Sequence, residues 1–274
     1  MRGASGAGLA VLLLLAGCGE KKRPAPVDFV AYGDCRHHPQ IHRKLASAMA
    51  ASGAKLFLVT GDLCDAPDDE EAWVEFRDIV KDVRARGPYY CSFGDHDAGP
   101  KGLFLKELGM TNPYFDKVEG DYHLFILDSR DKFRDAAQVE WLRKTAAASK
   151  SKHKFAIFHH PPFMIDADRG KEADAIRPNI HPVLVELKFC AVFCGHQHAF
   201  YSTKRNGLRY VVTAGGGAPL WKIDPSLGDP GDLARRFHHY VGLRDLGPKI
   251  EAHVIDEDGV EAGDLAFTLC EHPN

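Results

Sequence analysis

Five times along this chain an apolar run of strand length gives way, within a few residues, to a carboxylate or an imidazole. The runs are Phe29-Val30-Ala31-Tyr32, Leu56-Phe57-Leu58-Val59, Tyr89-Tyr90-Cys91-Ser92-Phe93, Phe155-Ala156-Ile157-Phe158 and Ala191-Val192-Phe193-Cys194. The blocks that follow are Gly33-Asp34-Cys35-Arg36, Gly61-Asp62-Leu63-Cys64-Asp65, Gly94-Asp95-His96-Asp97, His159-His160-Pro161-Pro162 and Gly195-His196-Gln197-His198. Unbroken apolar runs read as strands covered on both faces, and open α/β sheets gather their sites in the loops beyond the strands' carboxyl ends. One Asp or His in such a loop says little. Five in order, using only carboxylate and imidazole donors, point to a polynuclear metal centre.

Between the runs the periodicity is helical. Ile41 to Ala51 places Ile41, Leu45, Ala48 and Met49 on one face. A helix capped by Asp68 or Asp69 carries a stripe of Trp73, Phe76, Ile79, Val80 and Val83 until Gly87-Pro88 stops it. Tyr122 to Leu127 reads as a strand, Gln138 to Ala148 as a helix, and His181 to Leu187 as a short helix. This alternation predicts βαβ units with right-handed crossovers. After His198 the pattern becomes strand upon strand, with Asn206-Gly207 and Asp258-Gly259 as turns, which predicts a second, antiparallel sheet. The stretch from Trp221 to Arg236, rich in Gly, Pro and Asp, reads as an irregular rim.

The amino terminus is read as a leader rather than as part of the fold. Arg2 precedes the apolar stretch Gly8 to Gly17, far shorter than the roughly 20 residues a spanning helix needs. Leu15-Ala16-Gly17-Cys18 resembles a bacterial lipobox, so residues 1–17 are expected to be cleaved and Cys18 lipidated. That implies a cell-envelope lipoprotein attached to the membrane through Cys18, with Gly19 favouring the outer membrane. The charged, Pro-rich segment up to Pro26 reads as a tether, and residues 27–272 as one α/β domain. A net charge of −3 gives no electrostatic reason to expect nucleic acid. The six cysteines after Cys18 are expected to be mostly free and buried, with a Cys35–Cys64 bridge as the one pairing the motifs suggest.

The ordered blocks resemble those of the calcineurin-like metallophosphoesterases, which include purple acid phosphatases and phosphoprotein phosphatases. The resemblance spans Val27 to Gly217. It implies two packed mixed β-sheets flanked by helices, with two metal ions at one edge, and Fe, Mn and Zn as the candidate ions. It implies Asp62 as the bridging ligand, Asp34 and His198 on the first metal, and Asp95, His159 and His196 on the second. His160 is then a neighbour of the ligands only. Alternation along a strand would point His196 and His198 to one face, so they reach two metals only if the backbone leaves strand geometry.

Three departures from the family pattern concern the site. Arg36 stands where many members have a metal-binding His; it cannot ligate, and its fork suits a substrate oxyanion. His37, His38 and Asp65 are the candidates to replace that imidazole. Asp65 follows Asp62 at the spacing where relatives have either a ligand or the carboxylate that orients the catalytic His. Asp95 replaces the usual Asn and adds a negative charge. The resemblance implies hydrolysis of a small phosphate monoester by metal-bound hydroxide, with His96 protonating the leaving oxygen and Asp97 or Asp65 fixing its tautomer. A phosphodiesterase with the same site, and a lipoprotein that binds phosphate or metal without turnover, are the competing readings. The sequence leaves the oligomeric state open.

Overall fold

Each apolar run becomes a strand because something covers both of its faces. The structure, a computed structural model, describes residues 24–271. The expected leader, Cys18 and most of the tether lie outside the described residues. No helix among the described residues is long and apolar enough to cross a membrane.

In chain order the first strands are β1 (Phe29–Tyr32), β2 (Leu56–Val59), β3 (Tyr89–Cys91), β4 (Phe115–Glu119), β5 (Tyr122–Ile126), β6 (His153–Ile157) and β7 (Ala191–Cys194). They are followed by β8 (Phe200–Arg205), β9 (Leu208–Thr213), β10 (Leu233–Arg235), β11 (His239–Asp245), β12 (Lys249–Asp256) and β13 (Phe267–Glu271). The helices are α1 (Pro39–Ala51), α2 (Glu70–Arg84), α3 (Leu103–Leu108), α4 (Ala136–Ala148) and α5 (Gly170–Glu186). One sheet has the order β13-β12-β11-β1-β2-β3 and the other β10-β8-β9-β7-β6-β5-β4. Both are mixed: β1, β2 and β3 run parallel, as do β5, β6, β7 and β9, while the flanking strands are antiparallel.

Alternation along β1 shows how the layers form. Phe29 and Ala31 face the second sheet, packing in one cluster with Leu124, Phe155 and Phe193. Val30 and Tyr32 face outward, beneath Leu45, Met49 and Val80 of α1 and α2. On the far side α4 and α5 cover the second sheet, with Leu142, Ile176 and Ile180 against Phe125 and Val192. Two sheets face to face, each roofed by helices, give the predicted sandwich.

The late hairpins do not make a sheet of their own. β8, β9 and β10 extend the sheet that contains β7, and β11, β12 and β13 extend the one that contains β1. The physical reason is edge pairing: β1 and β7 would otherwise each present unpaired backbone groups on one side. α5 is also longer than expected, because Pro178 and Pro182 interrupt the pattern without ending the helix. Asp69 caps α2, its carboxylate accepting from the Glu71 N–H at 2.9 Å.

Cys35, Cys64, Cys91 and Cys194 are free and buried, and the suggested Cys35–Cys64 bridge is absent. Cys190 and Cys270 correct the expectation of free thiols: they form a disulfide with Cα atoms 5.7 Å apart. The bond joins β13 of one sheet to the segment entering β7 of the other. It depends on a contact across 80 residues that no local pattern reveals.

Candidate metal centre

All six expected ligands stand in loops that leave β1, β2, β3, β6 and β7 at their carboxyl ends. The exits are sharp. Asp34, Asp62 and His196 have φ of 57°, 57° and 68°, a left-handed backbone that costs energy for a residue with a side chain. At His196 this turn breaks the strand alternation. Its Nδ1 consequently lies 3.3 Å from Asp95 Oδ1, while Nε2 of His198 lies 3.4 Å from Asp34 Oδ1.

The glycines before the ligands make room for neighbouring loops. A methyl group on Gly94 would sit 2.1 Å from Asp62 Oδ1; one on Gly195 would sit 2.5 Å from Asp34 Oδ2 and 2.9 Å from His159 Nδ1. Gly216 packs on the loop of Asp34 in the same way, its N–H donating to Gly33 O at 2.9 Å.

Two donor clusters result, one of Asp34, Asp62 and His198, the other of Asp95, His159, His160 and His196, and a third group of Asp62, Asp95 and His96 overlaps both. In the second, His159 Nε2 is 2.8 Å from Asp95 Oδ1 and 3.6 Å from Asp62 Oδ1. Asp62 therefore faces both clusters, as a bridging carboxylate must. His160, expected only beside the site, brings its Nε2 to 3.9 Å from Asp95 Oδ1 and joins the donors.

Hydrogen bonds fix the imidazoles. His159 Nδ1 donates to Thr60 O at 2.7 Å and His198 Nδ1 to Pro219 O at 2.8 Å, leaving each Nε2 turned into the centre. His196 is reversed: Nε2 donates to Glu172 Oε2 at 2.7 Å, so Nδ1 carries the inward lone pair. One ring nitrogen tied down and the other presented is the arrangement of metal-binding histidines. Charge points the same way. Burial opposes a charge on His159, yet Asp62 and Asp34 beside it lift its pKa to about 10. Burial likewise disfavours the Asp95 carboxylate, but the His159 and His196 imidazoles beside it hold its pKa well below the usual range. Asp34, Asp62 and Asp95 gathered this closely call for positive charge between them, and divalent cations meet that demand with a fitting set of N and O donors.

The other expected site residues are arranged differently. Asp97 is buried and accepts from the N–H groups of Asp62, Leu63 and Gly94 at 2.8, 2.9 and 2.8 Å. It braces two ligand loops and is not the partner of His96. Asp65, expected to orient His96 or to bind metal, is turned to His37: it accepts from the His37 backbone N–H at 2.7 Å and lies 2.7 Å from Nδ1. The left-handed turn at His37, φ 69°, swings that residue over Asp65, which a linear motif does not disclose. His38 bonds Gly217 O at 2.6 Å. His96 is half exposed, with its backbone N–H on Asp62 Oδ1 at 3.0 Å and its Nε2 3.5 Å from Asp95 Oδ2. Arg36 Nε donates to Asp62 Oδ2 at 3.0 Å, so this guanidinium is committed to the bridging carboxylate.

Above the centre is a cleft of about 260 Å³. Arg36, His37 and His96 line it together with Arg169, Leu220 and Trp221, the last three from segments that carry no family motif. Glu172, Arg169 and Trp221 were missed in the sequence; only the irregular rim beginning at Trp221 hinted at them.

The fold and this donor set define a class, the two-metal phosphoesterases. The calcineurin-like phosphoesterase family profile matches residues 29–200, and the chain belongs to that family. It is 26% identical over 272 residues to tartrate-resistant acid phosphatase type 5 of Rattus norvegicus, covering 80% of each chain. It is 25% identical over 203 residues to purple acid phosphatase 5 of Arabidopsis thaliana, covering 71% of this chain and 50% of that one. Among solved structures, purple acid phosphatase PPD1 of yellow lupin superposes with a TM-score of 0.75 at 16% identity, over 89% of this chain and 54% of the lupin chain. The chain thus spans about half the length of the plant relatives. The family uses a dinuclear metal centre.

Proposed function

We propose that this protein hydrolyses phosphate monoesters at a two-metal centre. The observation that carries the reading is Asp62, one carboxylate facing both donor clusters, 3.6 Å from His159 Nε2 and grouped with Asp34 and His198. Asp34, Asp62 and His198 would hold the first ion; Asp62, Asp95, His159 and His196 would hold the second, with His160 beside them. Bound there, the ions supply Lewis acidity to the phosphoryl oxygens and lower the pKa of a water towards about 7. The chain's own groups do the rest. Arg36 steadies the bridging carboxylate through Nε and donates from Nη1 to His37 Nε2 at 2.6 Å, while its side chain lines the cleft. His96, at the cleft lip, is placed to give a proton to the departing oxygen. The acid phosphatases to which the chain is related support a monoester substrate.

Two metal ions per full-length chain together with turnover of a monoester panel is the expected result. Preference for diesters would replace the monoesterase by a diesterase. Two bound ions with no turnover of either class would leave a binding protein. From Leu15-Ala16-Gly17-Cys18 we further propose a cell-envelope protein held by lipid on Cys18, and the Cys190–Cys270 disulfide supports an oxidising compartment. An intact mass showing Cys18 unmodified in protein from its native membrane would exclude the anchor.

A further inference from the structure

The cleft contains a second arginine whose charge the two-metal chemistry leaves unused. Arg36 is committed to Asp62, but the guanidinium carbon of Arg169 lies 3.9 Å over the ring of Trp221. Among the described residues that guanidinium has no carboxylate partner. Its place is nonetheless fixed. The Asp166 carboxylate accepts from the backbone N–H groups of Asp168 and Arg169 at 2.9 and 3.0 Å, holding the turn from which the side chain projects. Trp221 is tied to the expected metal ligands: its backbone N–H donates to His198 O at 3.0 Å, and its ring centre lies 4.6 Å from that of His198 and 5.3 Å from that of His196. Arg236 donates to the carbonyls of Leu220 and Trp221, both at 3.0 Å, which steadies the platform from behind.

An arginine stacked on an aromatic face keeps its in-plane N–H groups free and loses little freedom on binding an anion. Arg169 and the donor clusters line one cleft of about 260 Å³, so a single small molecule can place a phosphoryl group at the metals and a second anion at Arg169. We infer that Arg169, held on Trp221, selects phosphate esters whose leaving group carries a second anionic group, a carboxylate or a further phosphate. This rests on the proposed hydrolase reading and specifies its substrate class.

A matched pair tests it with full-length, metal-loaded protein: 2-phosphoglycerate and β-glycerophosphate, which differ by a carboxylate in place of a hydroxymethyl group. The expected wild-type preference in kcat/KM for 2-phosphoglycerate is about tenfold or more, the worth of one hydrogen bond to a charged group. Arg169→Met removes that preference, Arg169→Lys restores part of it, and Trp221→Leu weakens it. Fructose 1,6-bisphosphate against fructose 6-phosphate shows whether a phosphate serves as well as a carboxylate. Calorimetric binding of the non-hydrolysable phosphonate analogues of these pairs gives a readout independent of turnover, and circular dichroism confirms that each variant is folded. Equal losses on both members of a pair would assign Arg169 to the transferred phosphoryl group and overturn the inference, as would a wild type without preference in either turnover or binding. Failure of the hydrolase reading looks different: no turnover at all, while binding still reports the preference or its absence.

Discussion

Glu172 illustrates what single residues add to a motif. It sits in the first turn of α5, far in sequence from His196, and accepts that ring's Nε2–H at 2.7 Å. Without it His196 loses the partner that keeps Nδ1 deprotonated and aimed inward. Glu172→Ala is expected to weaken one of the two metal sites by about 10–100-fold, measured by calorimetric titration and metal content, with Glu172→Gln recovering part of the loss. His96 makes a different prediction. As a proton donor it matters most where the leaving oxygen is basic, so His96→Ala should cost far more turnover on an alkyl phosphate than on nitrophenyl phosphate. Equal losses on the two would argue against proton transfer. At this scale the carboxylates and imidazoles that gather into the donor clusters were legible, because each closely follows an apolar strand run. The partners that steady them were not. Asp97 and Asp65 looked alike beside their motifs, yet the fold gives one three backbone N–H groups and the other a histidine.

The loops are the elements on which the site depends, and their glycines interlock. A Cβ at Gly195 would press within 2.5 Å of the Asp34 carboxylate and within 2.9 Å of the His159 ring. Gly195→Ala is expected to destabilise the fold by about 1–3 kcal/mol and to lower metal content, read from urea denaturation and elemental analysis. A variant of normal stability and normal metal content would show that the loops yield more easily than their spacing suggests. The strands beneath were readable from sequence because β1, β2 and β7, and β6 from Phe155 on, are buried on both faces and so stay apolar. The destination of the hairpins was not readable. A hairpin is specified by its own turn, whereas the sheet it joins is decided by which distant strand has a free edge.

For the whole molecule, stability has a covalent and an acid-sensitive part. Replacing the Cys190–Cys270 disulfide by two serines reopens a long loop and should cost about 2–4 kcal/mol, with the effect visible as a lower denaturation midpoint. The acid-sensitive part comes from buried neutral histidines. Burial, aided by Arg43, depresses the pKa of His42 to about 3, and burial depresses that of His239 to about 4. In the unfolded chain both protonate near pH 6.5, before the folded protein does. Stability is therefore fully present above about pH 6.5 and is lost as pH falls towards 4, at roughly 1.4 kcal/mol per pH unit for each histidine. His42→Leu should flatten that acid limb in denaturation curves taken across this range. Tyr32 keeps Tyr89 as a hydroxyl partner at 2.6 Å when the imidazole is gone. An unchanged pH profile would mean that His42 is not neutral in the fold.

The close approach of Gly94 and Gly195 to ligands on other loops also bears on how such a centre can be altered. No loop owns its space; each borrows clearance from the next, so a segment transplanted alone from a cousin would arrive with the wrong contours. Engineers wishing to retune ion preference would do better to exchange the whole ring of exits together, or to work on the outer wall where Trp221 and Arg169 meet solvent.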